Sequence, residues 1–289
     1  MIYLPEPWPE ELLSSVLVRC AKQFGKKVNQ RKMTFALFGE YRICHPQYPR
    51  YVRDFADNLG MGIGELISNH TMYPLTAPFI EPELRRRLLD WMCGEPATRG
   101  PVQGRLLSGA MVETYRFCPK CWAEQNLALR SSVGWLRGWQ VPQNGICPKH
   151  GSPLMDTGEP FKNSIGAIRL LDWSDIDLTR ARPVETGPNE RLMTETSKAL
   201  FARPLQHLPS TEQWTRFWDR RLAGMTNKDL QANGIAYWGE AWLDARALKI
   251  DRTLLKGPGR RIWWKNLLLL KATEPAADLL AAVDEAASI

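Results

Sequence analysis

Cys118-Pro119-Lys120-Cys121, answered after twenty-five residues by Cys147-Pro148-Lys149-His150-Gly151, is the stretch from which the fold is read. A C-x2-C turn followed by a C-x2-H turn offers three thiolates and an imidazole, the ligand set of tetrahedral zinc. In each turn proline pre-sets the backbone of a tight hairpin, and the adjacent lysine adds positive charge that favours ionised sulfur. All four coordination positions would be filled by protein, leaving none for a water nucleophile. The expectation is one structural zinc held by Cys118, Cys121, Cys147 and His150, in a zinc-ribbon-like module with short strands. A catalytic zinc would need an open position and a nearby acid or base. Here His150 is followed by Gly151-Ser152-Pro153, so the reading is that the chain is not an enzyme.

Working outward, the module spans residues 114–155. Between the knuckles, Trp135-Leu136-Arg137-Gly138-Trp139 alternates in the manner of a strand that packs its tryptophans against the metal site. Upstream, residues 10–24 place Leu13, Val16, Leu17 and Cys20 on one helical face after a Pro7-Trp8-Pro9 entry, with acids in the first turn. Residues 29–38 read as a second helix from an asparagine cap to Gly39, and Lys26 and Lys27 lie in the connection. The pair has the outline of a helix-turn-helix unit or of plain helical packing. Helices are expected over 49–59, 63–69 and 81–93, the last with Leu84, Leu88 and Trp91 inward and Arg85, Arg86 and Arg87 mostly outward. The connector 69–79, with prolines at 74 and 78, reads as neither helix nor strand, and His70 within it as a hydrogen-bonded structural residue. Cys20, Cys44 and Cys93 show no pairing logic, as expected of reduced thiols in the cytoplasm.

Residues 156–209 carry five prolines and little periodicity, and read as an irregular bridge. Beyond it, Ser210-Thr211 caps a helix with Trp214, Phe217, Trp218 and Leu222 on one stripe, Thr226 opens another, and residues 236–248 form a third around Trp238, Trp242 and Ala245. The fold class is therefore mainly α. An N-terminal helical region (1–113) is followed by the zinc module (114–155), the bridge (156–209) and a basic C-terminal helical, helix-turn-helix-like domain (210–289).

Charge is uneven along the 289 residues and their net +7: residues 201–271 hold 13 basic and 6 acidic side chains, whereas 272–289 hold four acids and no base. Lys249, Arg252, Lys256, Arg260, Arg261 and Lys265 fall within 17 residues, interleaved with Gly257-Pro258-Gly259 and Trp263-Trp264. Such spacing suits phosphate contact, with glycines letting the backbone approach. These six are the candidate nucleic-acid-binding residues; a basic surface over a tryptophan core is the plainer reading. The acidic tail, 275–288, reads as an amphipathic helix that packs internally or docks a partner. No apolar run has the roughly twenty residues of a membrane span, and the N-terminus lacks the basic start of a secretory signal.

Three motifs occur in one order: Leu4-Pro-Glu-Pro-Trp-Pro-Glu-Glu-Leu12-Leu-Ser-Ser15, then His70-Thr-Met-Tyr-Pro-Leu-Thr-Ala-Pro-Phe79, then Arg116-Phe-Cys-Pro-Lys-Cys121 with Trp139-Gln-Val-Pro142 and Cys147-Pro-Lys-His-Gly151. Together with Pro209-Ser-Thr-Glu-Gln-Trp214, they resemble the TniQ/TnsD family of bacterial transposition target-selection proteins over roughly residues 3–220. The resemblance implies an adaptor that marks an insertion site and recruits the transposon's AAA+ ATPase regulator (TnsC-like). It also implies zinc at Cys118, Cys121, Cys147 and His150. Some members of the family read an attachment site in target DNA directly, as TnsD does. Others dock on a CRISPR effector with its guide RNA, and the shortness of this chain beside long TnsD proteins favours that form. A zinc-containing transcription regulator is the alternative of another class. Trp8, in its proline-held segment, is the candidate partner-binding residue, facing the ATPase or a second copy in a homodimer.

Overall fold

The computed structural model describes residues 3–24, 30–39, 45, 47–94, 112–128, 133–160, 171–256 and 262–289. Lys26, Lys27, Cys44, Arg260, Arg261 and the Gly257 to Gly259 stretch, each singled out above, lie outside those residues. The chain is mainly helical, with thirteen α-helices among the described residues and one three-stranded antiparallel sheet.

The N-terminal helices are α1 (Leu13–Lys22), α2 (Gln30–Phe38), α3 (Val52–Leu59), α4 (Ile63–His70), the single turn α5 (Tyr73–Thr76) and α6 (Pro82–Met92). Gly39 and Gly60, at φ 71° and 65°, end α2 and α3 where only the left-handed region lets the chain turn away. Leu13, Val16, Leu17 and Cys20 are buried as the periodicity predicts, but Glu10 and Glu11 precede α1 rather than occupying its first turn. The connector is not irregular: α5 and a 3-10 turn over Ala77–Phe79 continue the helical path, each with a proline near its start where the missing N–H costs nothing. The arginine triplet divides. Arg86 is exposed and pairs with Glu83 and Asp90, whereas Arg85 turns inward and donates to the carbonyls of Ile80, Leu208 and Pro209.

The zinc-ribbon-like region follows: β1 (Thr114–Phe117), α7 (Pro119–Leu127), a 3-10 turn over Arg137–Gln140, β2 (Met155–Pro160) and β3 (Arg182–Pro183), paired in the order β1-β2-β3. The expected tryptophan strand is instead that 3-10 turn, with one antiparallel bridge from Leu136 to Glu11. Trp135 and Trp139 are nonetheless buried behind the knuckles. Residues 156–209 are not irregular throughout, since they supply β2, β3 and α8 (Pro188–Ala202). The inward face of α8 carries Thr194, Thr196 and Ser197 beside Met193, Leu200 and Phe201, a polar mixture that blurs the apolar period.

The C-terminal helices are α9 (Thr211–Arg221), α10 (Asn227–Trp238), α11 (Glu240–Asp244), α12 (Trp263–Thr273) and α13 (Leu279–Ser288). Ser210 with Gln213, and Thr226 with Asp229, form reciprocal capping boxes at α9 and α10. The helix read over 236–248 is broken at Gly239 (φ 83°), and Ala245 is exposed, not core. The tail helix packs internally: Leu279, Ala282, Val283 and Ala286 are buried, Gln213 donates to the Ala287 carbonyl at 2.9 Å, and Arg203 meets Asp284 at 2.6 Å.

N- and C-terminal helices share one continuous apolar cluster, while the knuckle region has a second. Trp214 ties the two ends of the first. Its ring stacks on Phe79 at 5.5 Å, stands edge-on to Phe217 at 5.3 Å, and its Nε1–H donates to the Pro78 carbonyl at 2.7 Å. We therefore expect Trp214→Ala to cost about 3–5 kcal/mol, with circular dichroism and tryptophan emission showing one coincident denaturant transition for both helical regions.

Candidate metal centre and basic face

The first knuckle is built by a helix start rather than by the expected hairpin. Cys118 is the N-cap of α7 in extended backbone, Pro119 occupies the first turn, and Cys121 follows one turn later. Both sulfurs thus lie where the helix dipole favours negative charge. The second knuckle is a tight turn. The Gly151 N–H donates to the Cys147 carbonyl, and the Cys147 N–H to the Ser152 carbonyl, each at 2.8 Å, with Gly151 at φ 62°.

The Sγ atoms of Cys118, Cys121 and Cys147 and one ring nitrogen of His150 all lie within 4.8 Å of one another. His150 Nδ1 is 3.5 Å from Cys118 Sγ, 3.2 Å from Cys121 Sγ and 3.8 Å from Cys147 Sγ, and the last two sulfurs are 3.6 Å apart. A zinc ion with Zn–S bonds of about 2.3 Å would space its ligands by about 3.8 Å, so the cluster is compatible with tetrahedral zinc. The thiols themselves call for a cation. Hydrogen bonds from Cys121 and Cys147 hold the Cys118 thiol low, and the same contacts push Cys121 and Cys147 up, so the three cannot ionise together without a positive partner.

Sequence reading missed Glu124. It lies on α7 one turn beyond Cys121, and its Oε1 sits 3.0 Å from His150 Nε2 while Oε2 accepts from Lys149 Nζ at 2.6 Å. A carboxylate on the far ring nitrogen orients a metal-bound histidine through its Nδ1 face. Lys149 therefore neutralises Glu124, in addition to lying beside the sulfurs. The i+3 spacing from Cys121 was the available signal. Behind the cluster, Trp173 stacks on Trp135 at 4.5 Å and Phe117 stands edge-on to Trp173 at 4.9 Å.

Also missed is the junction that attaches this region to the helices. Glu11 is fully buried. Its Oε1 accepts from Ser15 Oγ (2.7 Å) and Arg19 Nε (2.8 Å), and its Oε2 from Arg19 Nη2 (2.7 Å) and the Trp8 N–H (2.8 Å). Glu10, in left-handed backbone at φ 66°, pairs instead with Arg137 at 2.6 and 2.8 Å. Arg137 lies over the Phe201 ring at 4.1 Å and donates to the carbonyls of Ser68 and Thr71. His70 is structural, as expected. Burial lowers its pKa, and the neutral ring's Nδ1–H donates to the Glu11 carbonyl at 2.8 Å. Trp8 is half-buried, its turn closed by Glu11 at both the amide and the carbonyl.

The six candidate phosphate contacts do not form one set. Lys249 and Lys256 are exposed. Arg252 is committed to the fold, donating to the carbonyls of Leu222 (2.7 Å) and Met225 (2.9 Å) after α9. Lys265 is half-buried with its Nζ 5.6 Å from the Trp264 ring centre. Arg260 and Arg261 lie outside the described residues. Trp263 is buried in the core and Trp264 is half-buried, so the pair is no open stacking platform.

A profile of the TniQ family matches residues 2–154, just over half of the chain. The chain belongs to the TniQ family. It is also similar to the Transposon Tn7 transposition protein TnsD of Escherichia coli, with 28% identity over 232 residues, covering 75% of this chain and 43% of that protein. The chain thus spans less than half the length of that relative. The TniQ match takes in the helices to α6, the Glu10–Glu11 junction and both knuckles, and stops before α8 and the basic face. No helix among the described residues is long and apolar enough to cross a membrane.

We expect Cys121→Ser to abolish stoichiometric zinc, measured by plasma emission on purified protein, and to open residues 114–155 to limited proteolysis; unchanged metal content would refute the site. Glu124→Gln should keep the fold but weaken zinc by about 10- to 100-fold, read by competition with a chromophoric chelator.

Proposed function

We propose that this chain is a transposition target-selection adaptor: it holds one structural zinc, contacts target DNA through its basic C-terminal face, and recruits the AAA+ ATPase regulator of its transposon, a TnsC-like protein. The observation that carries the reading is the TniQ match across residues 2–154, which contains the Cys118, Cys121, Cys147 and His150 cluster. Zinc's part is structural, since four protein ligands saturate a tetrahedral ion and leave it no reactive position. The chain's task is then to present a rigid surface rather than a reactive group. Arg137 and Glu10 hold the zinc region against α4 and α8, which supports such a role.

The exposed Lys249 and Lys256, with Lys265 beside them in sequence, are the phosphate contacts in this reading, joined by Arg260 and Arg261; Arg252 acts by shaping the loop after α9. Docking on a CRISPR effector would supply the target without base reading by this chain. A second reading, direct recognition of an attachment site, is favoured by one observation. The similarity to TnsD runs over 232 residues, beyond the 153 of the TniQ match, and so extends past the zinc region.

Selection of genomic fragments by the purified chain at about 150 mM salt, followed by footprinting, separates the two. One protected, enriched sequence means direct recognition, and weak binding without enrichment means that a partner chooses the target. Absence of both DNA binding and ATPase binding would overturn the adaptor reading. Replacing Lys249 and Lys256 by alanine should weaken DNA binding uniformly across sequences and lower the salt slope by about 2. Trp8→Ala should reduce ATPase recruitment in a folded protein; unchanged recruitment in pull-down and insertion assays would remove Trp8 from that surface.

A further inference from the structure

A cavity of about 380 Å³ opens where the loop after the 3-10 turn Arg137–Gln140 meets α8, α11 and α12. Its volume is that of a small-molecule or side-chain pocket. Three buried polar atoms on its lining have no hydrogen-bond partner among the described residues: Arg116 Nε, Gln143 Oε1 and Trp264 Nε1. Polar atoms withdrawn from water are almost always paired, so three around one cavity mark a place where a guest would complete the bonding.

The charges in the lining differ in kind. Glu190 is already neutralised, because its Oε1 accepts from Trp242 Nε1 and Arg246 Nη2, both at 2.7 Å, with the Arg246 guanidinium 4.3 Å from the Trp242 ring centre. Arg116 is not. Its Nη1 donates to two neutral carbonyls, Pro142 at 3.1 Å and Asn144 at 3.2 Å, and it makes no salt bridge with a described residue. Asp156, its cross-strand neighbour on β2, acts on it only at longer range. A mostly buried guanidinium with no carboxylate in ion-pair contact among the described residues is the strongest unmet demand in the cavity. The remaining wall is apolar and aromatic, from Met193, Leu248, Trp242 and Trp264.

We propose that this cavity is an anchor pocket for a peptide segment of a partner protein, taking one carboxylate side chain onto Arg116 with an adjoining apolar side chain against Trp264 and Leu248. The chemistry favours peptide over nucleic acid. A phosphodiester backbone carries only acceptors, so it has no donor for Gln143 Oε1, and its repeated negative charge would place further phosphates against Glu185 once one had met Arg116. A peptide brings one carboxylate together with N–H donors that Gln143 Oε1 can accept. Peptide capture would survive a loss of DNA binding, so the pocket does not depend on the transposition reading.

The test uses the full chain with nitrogen-labelled tryptophan and follows the indole N–H signals by NMR. Trp264→Phe, which breaks no hydrogen bond of the fold, assigns the Trp264 signal. The probes are two capped tripeptides, leucyl-aspartyl-leucine amide and its isosteric neutral counterpart leucyl-asparaginyl-leucine amide. The aspartyl peptide should move the Trp264 signal saturably, with half-saturation at about 1 mM as befits one anchor, and the asparaginyl peptide should bind at least about ten-fold more weakly. Arg116→Lys should abolish that preference; because Arg116 also braces the 142–144 loop, the peptide pair on the unaltered chain is decisive if the variant fails to fold. No saturable shift up to about 20 mM, or equal response to both peptides, would overturn the pocket. So would a short single-stranded oligonucleotide that moved the Trp264 signal where the aspartyl peptide did not, assigning the cavity to nucleic acid.

Discussion

Two adjacent glutamates hold the architecture together by facing different partners. Glu10 adopts the left-handed conformation, and the two carboxylates part, one to Arg137 of the zinc-ribbon-like region and the other to Arg19 of α1. Such a conformation is costly for a non-glycine residue and persists only where the surroundings over-determine it. Here they do so twice, through the ion pair and through the Arg137 N–H donating to the Glu10 carbonyl at 2.8 Å. Gly134 completes the junction, since a Cβ there would collide with the Glu11 carboxylate. The Leu4 to Ser15 motif is thus the strap by which the zinc-ribbon-like region is fastened to a helical body.

That fastening gives the metal cluster its consequence. The knuckle region has its own small apolar cluster, centred on Tyr115, Phe117, Trp135, Trp139 and Trp173, and a region of this size would gain much of its stability from a bound metal. Orientation relative to the helices comes from elsewhere: Arg137 reaches α4 and Phe201 of α8, and Asn144 accepts from Ser197 at 3.0 Å. A ribbon fixed in this way becomes part of one surface with the helices, as an adaptor between DNA and a second protein would require.

The positive charge is divided between inside and outside in a similar way. Arg221 is held by Glu274 and Glu285, and Lys271 is buried, its Nζ donating to the Pro275 carbonyl at 3.0 Å. The acid-rich tail thus neutralises arginines of the body. Among the described residues around the α11–α12 connection, Lys249 and Lys256 are the clearest exposed bases, while Arg252 is tied to the carbonyls of Leu222 and Met225.

Local pattern was enough to specify the Cys118, Cys121, Cys147 and His150 cluster, most helices and the capping boxes at Ser210 and Thr226. Each of these is a short-range matter: a ligand spacing, a 3.6-residue period, or a side chain reaching its own helix start. The same pattern did not reveal that 69–79 is helical, that α8 crosses the supposed bridge, or that 135–139 is a turn rather than a strand, because buried prolines and inward threonines and serines obscure the period. Which charges are neutralised internally and which face outward was settled by packing alone. Glu11 with Arg19, Glu124 with His150, and Arg252 with the Leu222 carbonyl are separated along the chain by 8, 26 and 30 residues. Whether a charged side chain is a strut or a contact depends on the partner that folding brings beside it, and no local pattern encodes that.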